Sequence, residues 1–241
     1  MAILSIDLAL TSYRDVGAAL VAVGADAQLE ARIVEVPLDG RPSALALADW
    51  IGVMTATHGV RGVAIDGPLG WRAPDTDSPH ARLAERAVRA PGKTGLPPDG
   101  VKPRNYLAFT QLSIQLFEIL TSERDWSLPL DARASDAANR FVTEVFPTAA
   151  WRALALPPLP GKSRSTPADV AAWRTRLETA LPLTIQGATT HDQLQAVVGG
   201  IAPAWWLAGE TSRVTLAGVP PVRLAGSWRE GFIMVPASRA M

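Results

Sequence analysis

Four acidic residues that lie far apart in the sequence are each placed at the end of an expected secondary-structure element. Asp7 and Asp66 end short apolar runs, and Glu144 lies near the end of a third run. Asp192 falls in the first turn of an expected helix, where the helix dipole favours a negative charge. Ligands bind at the carboxyl ends of strands in open α/β sheets, so we expect these acids to meet at one edge.

Acids gathered at one edge predict a divalent metal. Neighbouring carboxylates repel one another and raise each other's pKa unless a cation neutralises them. Oxygen ligands suit Mg²⁺ or Mn²⁺ rather than zinc. Two such ions ~3.5–4 Å apart activate a water and stabilise the leaving oxygen in phosphodiester cleavage. The pattern therefore predicts two metal ions, or one. A single acid at a strand end is more often a turn former or helix cap, so the prediction depends on the topology.

Apolar patterns predict the elements that must position these acids. We expect strands at about 2–8, 17–23, 29–36, 60–65 and 140–146, and two or three short strands within 213–235. We expect helices from a Ser43 cap to about 57 and at about 80–90, 105–121, 167–180 and 191–207. The first three strands form an antiparallel meander, and the strand–helix–strand passage that follows implies parallel pairing. The order predicts an α/β fold, a mixed sheet with helices on both faces.

The whole chain, 1–241, is expected to form a single domain with a long insertion at about 70–104. That insertion is rich in proline and glycine, and irregular stretches of this length often form lids or binding loops.

Composition narrows the class of protein. With 48% hydrophobic and 19% charged residues, the 241-residue chain can bury a sizeable core. A formal net charge of zero counts against a large duplex-binding surface. The chain has no cysteine, which excludes disulfides and thiolate metal sites and makes a cytoplasmic location the expectation. No signal peptide and no uncharged apolar run of ~20 residues is found, so no membrane partner is expected. The sequence does not distinguish a monomer from a dimer.

Ordered motifs along nearly the whole chain resemble the predicted ribonuclease-H-like nuclease family (domain of unknown function 429). The motifs are IDLA at 6–9, AIDGPLG at 64–70, EVFP at 144–147 and HDQLQA at 191–196, with an acid–arginine segment at 85–89 and a closing strand at 230–233. The resemblance implies a ribonuclease-H-like core. It also implies an acidic, metal-dependent site at Asp7, Asp66 and Asp192, with Glu144 nearby.

Gln195 departs from the motif of that family, which usually has a second aspartate three residues after the first. Asp192 and Gln195 share a helix face, so the glutamine is expected to point at the same site. It can bond a water or phosphate, but it is an uncharged and weaker metal ligand. Either one metal is held less tightly, or this member has lost cleavage and kept binding.

Several basic residues are candidates for binding substrate or moving a proton. His191 is either a general base, a group that orients the scissile phosphate, or a histidine that caps its helix. Arg82, Arg86 and Arg89 recur at helical spacing; Arg86 and Arg89 are assigned to substrate phosphates, although a solvated helix face is the commoner explanation. Lys162 resembles a lysine of the family and is assigned to phosphate, with an exposed turn lysine as the alternative.

Three further residues are expected to shape the surroundings of the site. Gly199 and Gly200 lie inside an expected helix, where each costs ~1 kcal/mol relative to alanine. They predict a close approach of that helix to the sheet. Trp71 follows the second motif; it either packs in the core or stacks on a base at the mouth of the site.

Three classes of function remain open. The first is a metal-dependent nuclease or phosphodiester hydrolase acting on nucleic acid or nucleotides. The second is a catalytically impaired domain that binds nucleic acid or nucleotides, which Gln195 and the neutral charge favour. The third is a phosphotransferase of the actin and sugar-kinase type, since DLALT at 7–11 faintly resembles the first phosphate loop of those enzymes. Those enzymes need two duplicated domains, for which 241 residues without a repeat leave little room.

Overall fold

An eight-stranded mixed sheet organises the protein. The computed structural model describes residues 1–92, 94–95, 104–131 and 140–238. The strands are β1 (Ala2–Asp7), β2 (Gly17–Val23), β3 (Leu29–Ile33), β4 (Val60–Asp66), β5 (Phe141–Val145), β6 (Leu183–Gln186), β7 (Val214–Leu224) and β8 (Ser227–Pro236). The helices are α1 (Ala44–His58), α2 (Leu83–Ala87), α3 (Arg104–Glu123), α4 (Pro147–Ala153), α5 (Pro167–Ala180) and α6 (His191–Leu207).

The strand order confirms the predicted mixed sheet, in which a three-strand meander is followed by parallel strands. It reads β6-β3-β2-β1-β4-β5-β8-β7. The first three strands pair antiparallel, as predicted from their short connections. Strand β4 then pairs parallel with β1, and β5 pairs parallel with β4. Strand β6 extends the sheet beyond β3, and the β7–β8 hairpin extends it beyond β5.

Helices cover both faces of the sheet. Side chains alternate along each strand, so each strand residue faces one side of the sheet or the other. Ile6 and Ile65 pack with the residues of α1 and α3 on one face. Ile3, Ala64 and Val145 pack with α4, α5 and α6 on the other. Because successive side chains of a strand point to opposite faces, this phase decides which strand-end acids share a face.

Several details differ from the sequence-based expectations. Strand β6 was not predicted, and β3 ends at Ile33 instead of about residue 36. The predicted helix at 80–90 is the five-residue α2, which ends before Arg89 takes a left-handed φ of 56°. The helix α4 was not predicted, because a proline after an apolar run is typical of a strand end, whereas Pro147 takes the first helical position. The tail forms two long strands rather than several short ones. Part of the predicted insertion, 93 and 96–103, lies outside the described residues.

Close packing of α6 on the sheet places its first turn beside the ends of the strands. A Cβ at Gly200 would lie 2.6 Å from Val21 Cγ2, and one at Gly199 would lie 3.0 Å from Val145 Cγ2. The predicted close approach is therefore confirmed. Thr190 caps the helix by accepting from Gln193 N. Within the described ranges, the helices are too short or too polar to cross a bilayer.

Candidate active site

Asp7 and Asp66 form a carboxyl pair at the centre of the sheet edge. They are the last residues of the parallel neighbours β1 and β4, and they lie directly opposite each other in the register. Each follows an isoleucine of the α1–α3 face by one residue, so both point toward α6. Both are half-buried. Two ionised carboxylates so close together repel each other.

The surroundings of this pair favour the protonated form. Burial raises the pKa of Asp7 well above its ordinary value, and the charges of Asp66 and Asp192 raise it further. Burial also raises the pKa of Asp66 to about 7; the hydrogen bond with Asp7 opposes the rise, and the charge of Glu144 adds to it. Because burial weakens the solvation of both carboxylates, binding of a cation or a proton would stabilise the pair.

Asp192 lies within electrostatic reach of the pair, in the first turn of α6. A Cβ at Gly17, the first residue of β2, would lie 2.1 Å from the carbonyl oxygen of Asp192. Only glycine therefore lets the start of α6 sit against the sheet beside Asp7. Burial acts to raise the pKa of Asp192, but hydrogen bonds from His191 and Lys162 outweigh it and lower the pKa. Unlike the pair, Asp192 is an ionised carboxylate.

Lys162 supplies the counter-charge of Asp192. It lies in a short 3-10 turn, where its Nζ contacts Asp192 Oδ2 and donates to Asp15 Oδ1 at 2.7 Å. Its side chain is 53% exposed, so this bridge faces water and is worth little stability. From the sequence, Lys162 is predicted to bind a substrate phosphate, and nothing there points to Asp15.

His191 is held between two acceptors. Its Nδ1 lies 3.0 Å from Asp192 Oδ1, and its Nε2 lies 2.9 Å from the carbonyl oxygen of Pro160. Both partners are acceptors, so the ring is the donor in these contacts, and the two of them fix the orientation of the imidazole. This arrangement orients Asp192 and ties α6 to the loop before Lys162. Its role as a general base stays a prediction.

Glu144 takes a different position from the aspartates. It precedes Val145 by one residue and lies opposite Ile65, so it points to the α1–α3 face. Arg82 Nη2 and Nη1 donate to Glu144 Oε1 and Oε2 at 2.6 and 2.8 Å, and Leu69 N donates to Oε2 at 2.7 Å. Both side chains are buried. Glu144 thus stands near Asp66 with its own charge already matched by Arg82.

A buried polar network holds Arg82 in place. Glu85 Oε2 accepts from Arg82 N at 2.9 Å and from Thr94 Oγ1 at 2.5 Å, and Arg82 Nε donates to the same threonine at 3.1 Å. Glu230 accepts from Leu83 N at 2.9 Å. Burial would lower the pKa of Arg82, but the surrounding glutamates raise it, so it remains a cation. The pairing of Arg82 with Glu144 is not apparent from the sequence, because the spacing of the arginines predicts one exposed face of a helix.

The other residues assigned to substrate make contacts with groups other than the aspartates. Arg86 is exposed and donates to the carbonyl oxygen of Asp77 at 2.8 Å. Arg89 is exposed beyond the end of α2, so it does not continue a helical face with Arg86. Gln195 Oε1 accepts from Trp151 Nε1 at 2.8 Å. Trp71 is buried against Ile114, as the packing alternative predicted.

The donor set fits a divalent cation, although the side chains are not gathered as ligands. In the part of the chain that the structure describes, no three histidine or acidic side chains are spaced to hold a metal ion. Asp7 and Asp66 nevertheless offer only oxygen atoms, in a partly buried position that favours binding of a proton. A divalent cation in place of that proton would remove their repulsion, and oxygen donors are the ligands that Mg²⁺ and Mn²⁺ prefer.

Comparison with known proteins identifies one matching family and remote similarity to solved structures. The profile of a family described as "Protein of unknown function (DUF429)" matches residues 6–215. No curated protein matches the chain. The chain is similar to the crystal structure of the yeast mitochondrial Holliday junction resolvase Ydc2, at 7% identity and a TM-score of 0.46, over 87% of this chain and 81% of that one. It is also similar to Thermus thermophilus RuvC, at 12% identity and a TM-score of 0.41, over 87% of this chain and 97% of that one.

Proposed function

We propose that this chain, which belongs to the DUF429 family of proteins of unknown function, is a divalent-metal-dependent nuclease of the ribonuclease-H-like type. The observation that carries the proposal is the placement of Asp7 directly opposite Asp66 at the sheet edge, with Asp192 in electrostatic reach. Such a pair destabilises the folded protein, and strongly perturbed carboxyls in a cleft mark functional sites.

Asp7, Asp66 and Asp192 would hold the metal, Mg²⁺ or Mn²⁺, as two ions or as one. When bound, the metal would supply an activated water and stabilise charge on a phosphodiester. Asp192 can join the set only if Lys162 releases it. The exposure of Lys162 permits this movement, after which its ammonium group is free to hold a substrate phosphate.

Glu144 is proposed as a positioning residue that acts through its neighbours. Its carboxylate holds Leu69 N, which fixes the turn that follows Asp66. Its ion pair with Arg82 anchors the start of α2 beside the same turn. Its charge also favours the protonated form of Asp66 until a cation arrives. Glu144 Oε1 accepts one hydrogen bond and Oε2 accepts two, and Arg82 balances the charge, so Glu144 has less to offer a metal ion than the aspartates have.

Cleavage and metal binding test the proposal separately. We expect Mn²⁺-dependent cleavage of at least one substrate among single-stranded, duplex, branched and RNA–DNA nucleic acids, lost in Asp7→Asn. Calorimetric titration with Mn²⁺ should show binding that the same variant loses. Asp26→Asn changes an exposed aspartate in the β2–β3 turn and should behave as the unaltered protein. Failure of the unaltered protein to bind Mn²⁺ would overturn the proposal.

A second function, nucleic-acid binding without cleavage, is favoured by Gln195. Its carbonyl oxygen is engaged by Trp151, and it has no charge with which to hold a second ion. This function predicts Mn²⁺ binding and nucleic-acid binding with no cleavage of any substrate. Restoring an acid with Gln195→Asp should then produce cleavage.

A further inference from the structure

A cavity of about 180 Å³ borders the candidate active site. Asp66 and Glu144 form part of its wall, so an occupant would lie next to one member of the carboxyl pair, Asp66. Aromatic side chains line it from two sides, Tyr106 and Phe109 on α3 and Phe146 after β5. The cavity is therefore mostly apolar and touches the reactive edge of the sheet.

The size of the cavity suits one flat ring system. An apolar cavity of ~150 Å³ holds a benzene-sized ring. At about 180 Å³ this cavity takes a single nucleobase, with part of a purine remaining at the mouth, and it is too small for a base pair. Aromatic side chains are the groups on which proteins stack unpaired bases. Tyr106, which is 37% exposed, lies where an entering base would pass.

Glu85 supplies the polar contact that such a ligand needs. It lines the cavity and is only 6% exposed. Its Oε2 accepts from Arg82 N and Thr94 Oγ1. Its Oε1 accepts no hydrogen bond from the described residues, and the Arg82 guanidinium lies 3.9 Å from it. This carboxylate oxygen on the cavity wall can therefore accept a hydrogen bond from an N–H group of a ligand.

We propose that this cavity binds one unpaired nucleobase of the substrate, with its amino group donating to Glu85, so that the chain acts on nucleic acid beside an unpaired base. The proposal rests on the nuclease function for its substrate class. A base inside a continuous duplex must first leave the stack, at a cost in free energy. Single-stranded, gapped or branched nucleic acid is therefore the preferred substrate, and thymine or uracil, which lack an amino group, are the least preferred bases.

Binding of 2-aminopurine, a fluorescent base with an amino group, tests the cavity without relying on cleavage. The probe is placed in the gap of a gapped DNA duplex and, for comparison, inside a continuous duplex. We expect saturable quenching by the full chain in Ca²⁺ with the gapped DNA only. Losing one stacked base should weaken binding about 5- to 150-fold, from ~1–3 kcal/mol per base. An abasic site in the gap should weaken DNA binding by the same factor.

Variants separate the cavity from the rest of the surface. Ala90→Met fills the cavity without touching the aspartates, and we expect it to lose the quenching. Ala153→Met adds the same side chain to other surface cavities and should keep it. Glu85→Gln keeps an acceptor for Arg82 N and should reduce the preference for amino-bearing bases over thymine. The melting temperature of each variant shows whether it has folded.

The outcomes distinguish this proposal from the nuclease function. Cleavage that is equal on continuous and gapped duplexes and unchanged in Ala90→Met would overturn the base cavity and leave the nuclease standing. Quenching that is lost in folded Ala90→Met, with no cleavage of any substrate, would support the cavity and overturn the nuclease. Quenching that is unchanged in Ala90→Met would overturn the cavity whatever the cleavage.

Discussion

Replacing Asp66 with asparagine is expected to make the protein more stable while it removes the proposed chemistry. Asp66 is half-buried beside Asp7, and its pKa is raised to about 7, chiefly by burial. The folded protein therefore keeps a proton that the unfolded chain loses near pH 4. Protonation favours the fold fully below pH ~4, and this contribution is lost as the pH rises toward 7. Asparagine carries no charge and can still donate to Asp7.

The size of the gain in stability follows from the pKa of Asp66 in the folded protein and its ordinary value. A carboxyl with a pKa of about 7 in the fold, against an ordinary value of 3.8, costs the fold ~4 kcal/mol at pH 8. At pH 5 the folded protein still holds the proton, and the cost is ~2 kcal/mol. Asp66→Asn should raise the free energy of unfolding by these amounts at the two pH values. In a protein of this size ~4 kcal/mol corresponds to a rise in melting temperature of ~10 °C.

Urea unfolding measures the difference in free energy of unfolding between Asp66→Asn and the unaltered protein. It is followed by tryptophan fluorescence at pH 8 and at pH 5, in the presence of EDTA. The matched control Asp26→Asn should change the free energy of unfolding by less than ~0.5 kcal/mol at both pH values, since Asp26 is exposed. If Asp66→Asn gains nothing at pH 8, or gains as much at pH 5 as at pH 8, the reasoning is refuted. Adding Mn²⁺ should stabilise the unaltered protein and leave the Asp66→Asn variant unchanged.

Three further predictions concern the groups around the pair. Arg82→Met should lower the free energy of unfolding by ~3–5 kcal/mol in a urea titration, because it leaves the buried Glu144 without a partner. Adding Glu144→Gln to it should restore part of the loss. Lys162→Ala should tighten Mn²⁺ binding by about 1.4- to 5-fold in calorimetry, because an exposed ion pair worth ~0.2–1 kcal/mol no longer competes for the carboxylate at the start of α6. Gly17→Ala should cost ~1–3 kcal/mol, because its Cβ would lie 2.1 Å from a backbone oxygen of α6.

Each of these predictions has a result that would contradict it. Equal stability of the single Arg82→Met variant and the double variant would show that the buried charge of Glu144 is not the cause. Weaker Mn²⁺ binding in Lys162→Ala would mean that the lysine supports the metal site. Gly52→Ala is the control for Gly17→Ala: it meets open space on α1 and should raise stability by ~0.5–1 kcal/mol. A rise with both alanines would refute the close approach of α6.

The amino-acid sequence by itself determined the central sheet and the ends of its strands. Asp7 and Asp66 end apolar runs whose pairing follows from short connections and a helical crossover, and the structure places them opposite each other. Thr190 predicted the start of α6, and Gly199 and Gly200 predicted its approach to the sheet. These features depend on local rules: side-chain period, capping groups and the room that glycine leaves.

Only the tertiary structure decided what the charged side chains do. Glu144 carries the same strand-end pattern as Asp66, but it lies one residue out of phase in the register and so faces the other side of the sheet. Its partner Arg82 looked like part of an exposed helical stripe and is a buried residue at the start of a five-residue helix. Lys162 and Asp15 meet Asp192 across long stretches of chain. Ion pairs depend on which distant segments pack together, and no local periodicity encodes that choice.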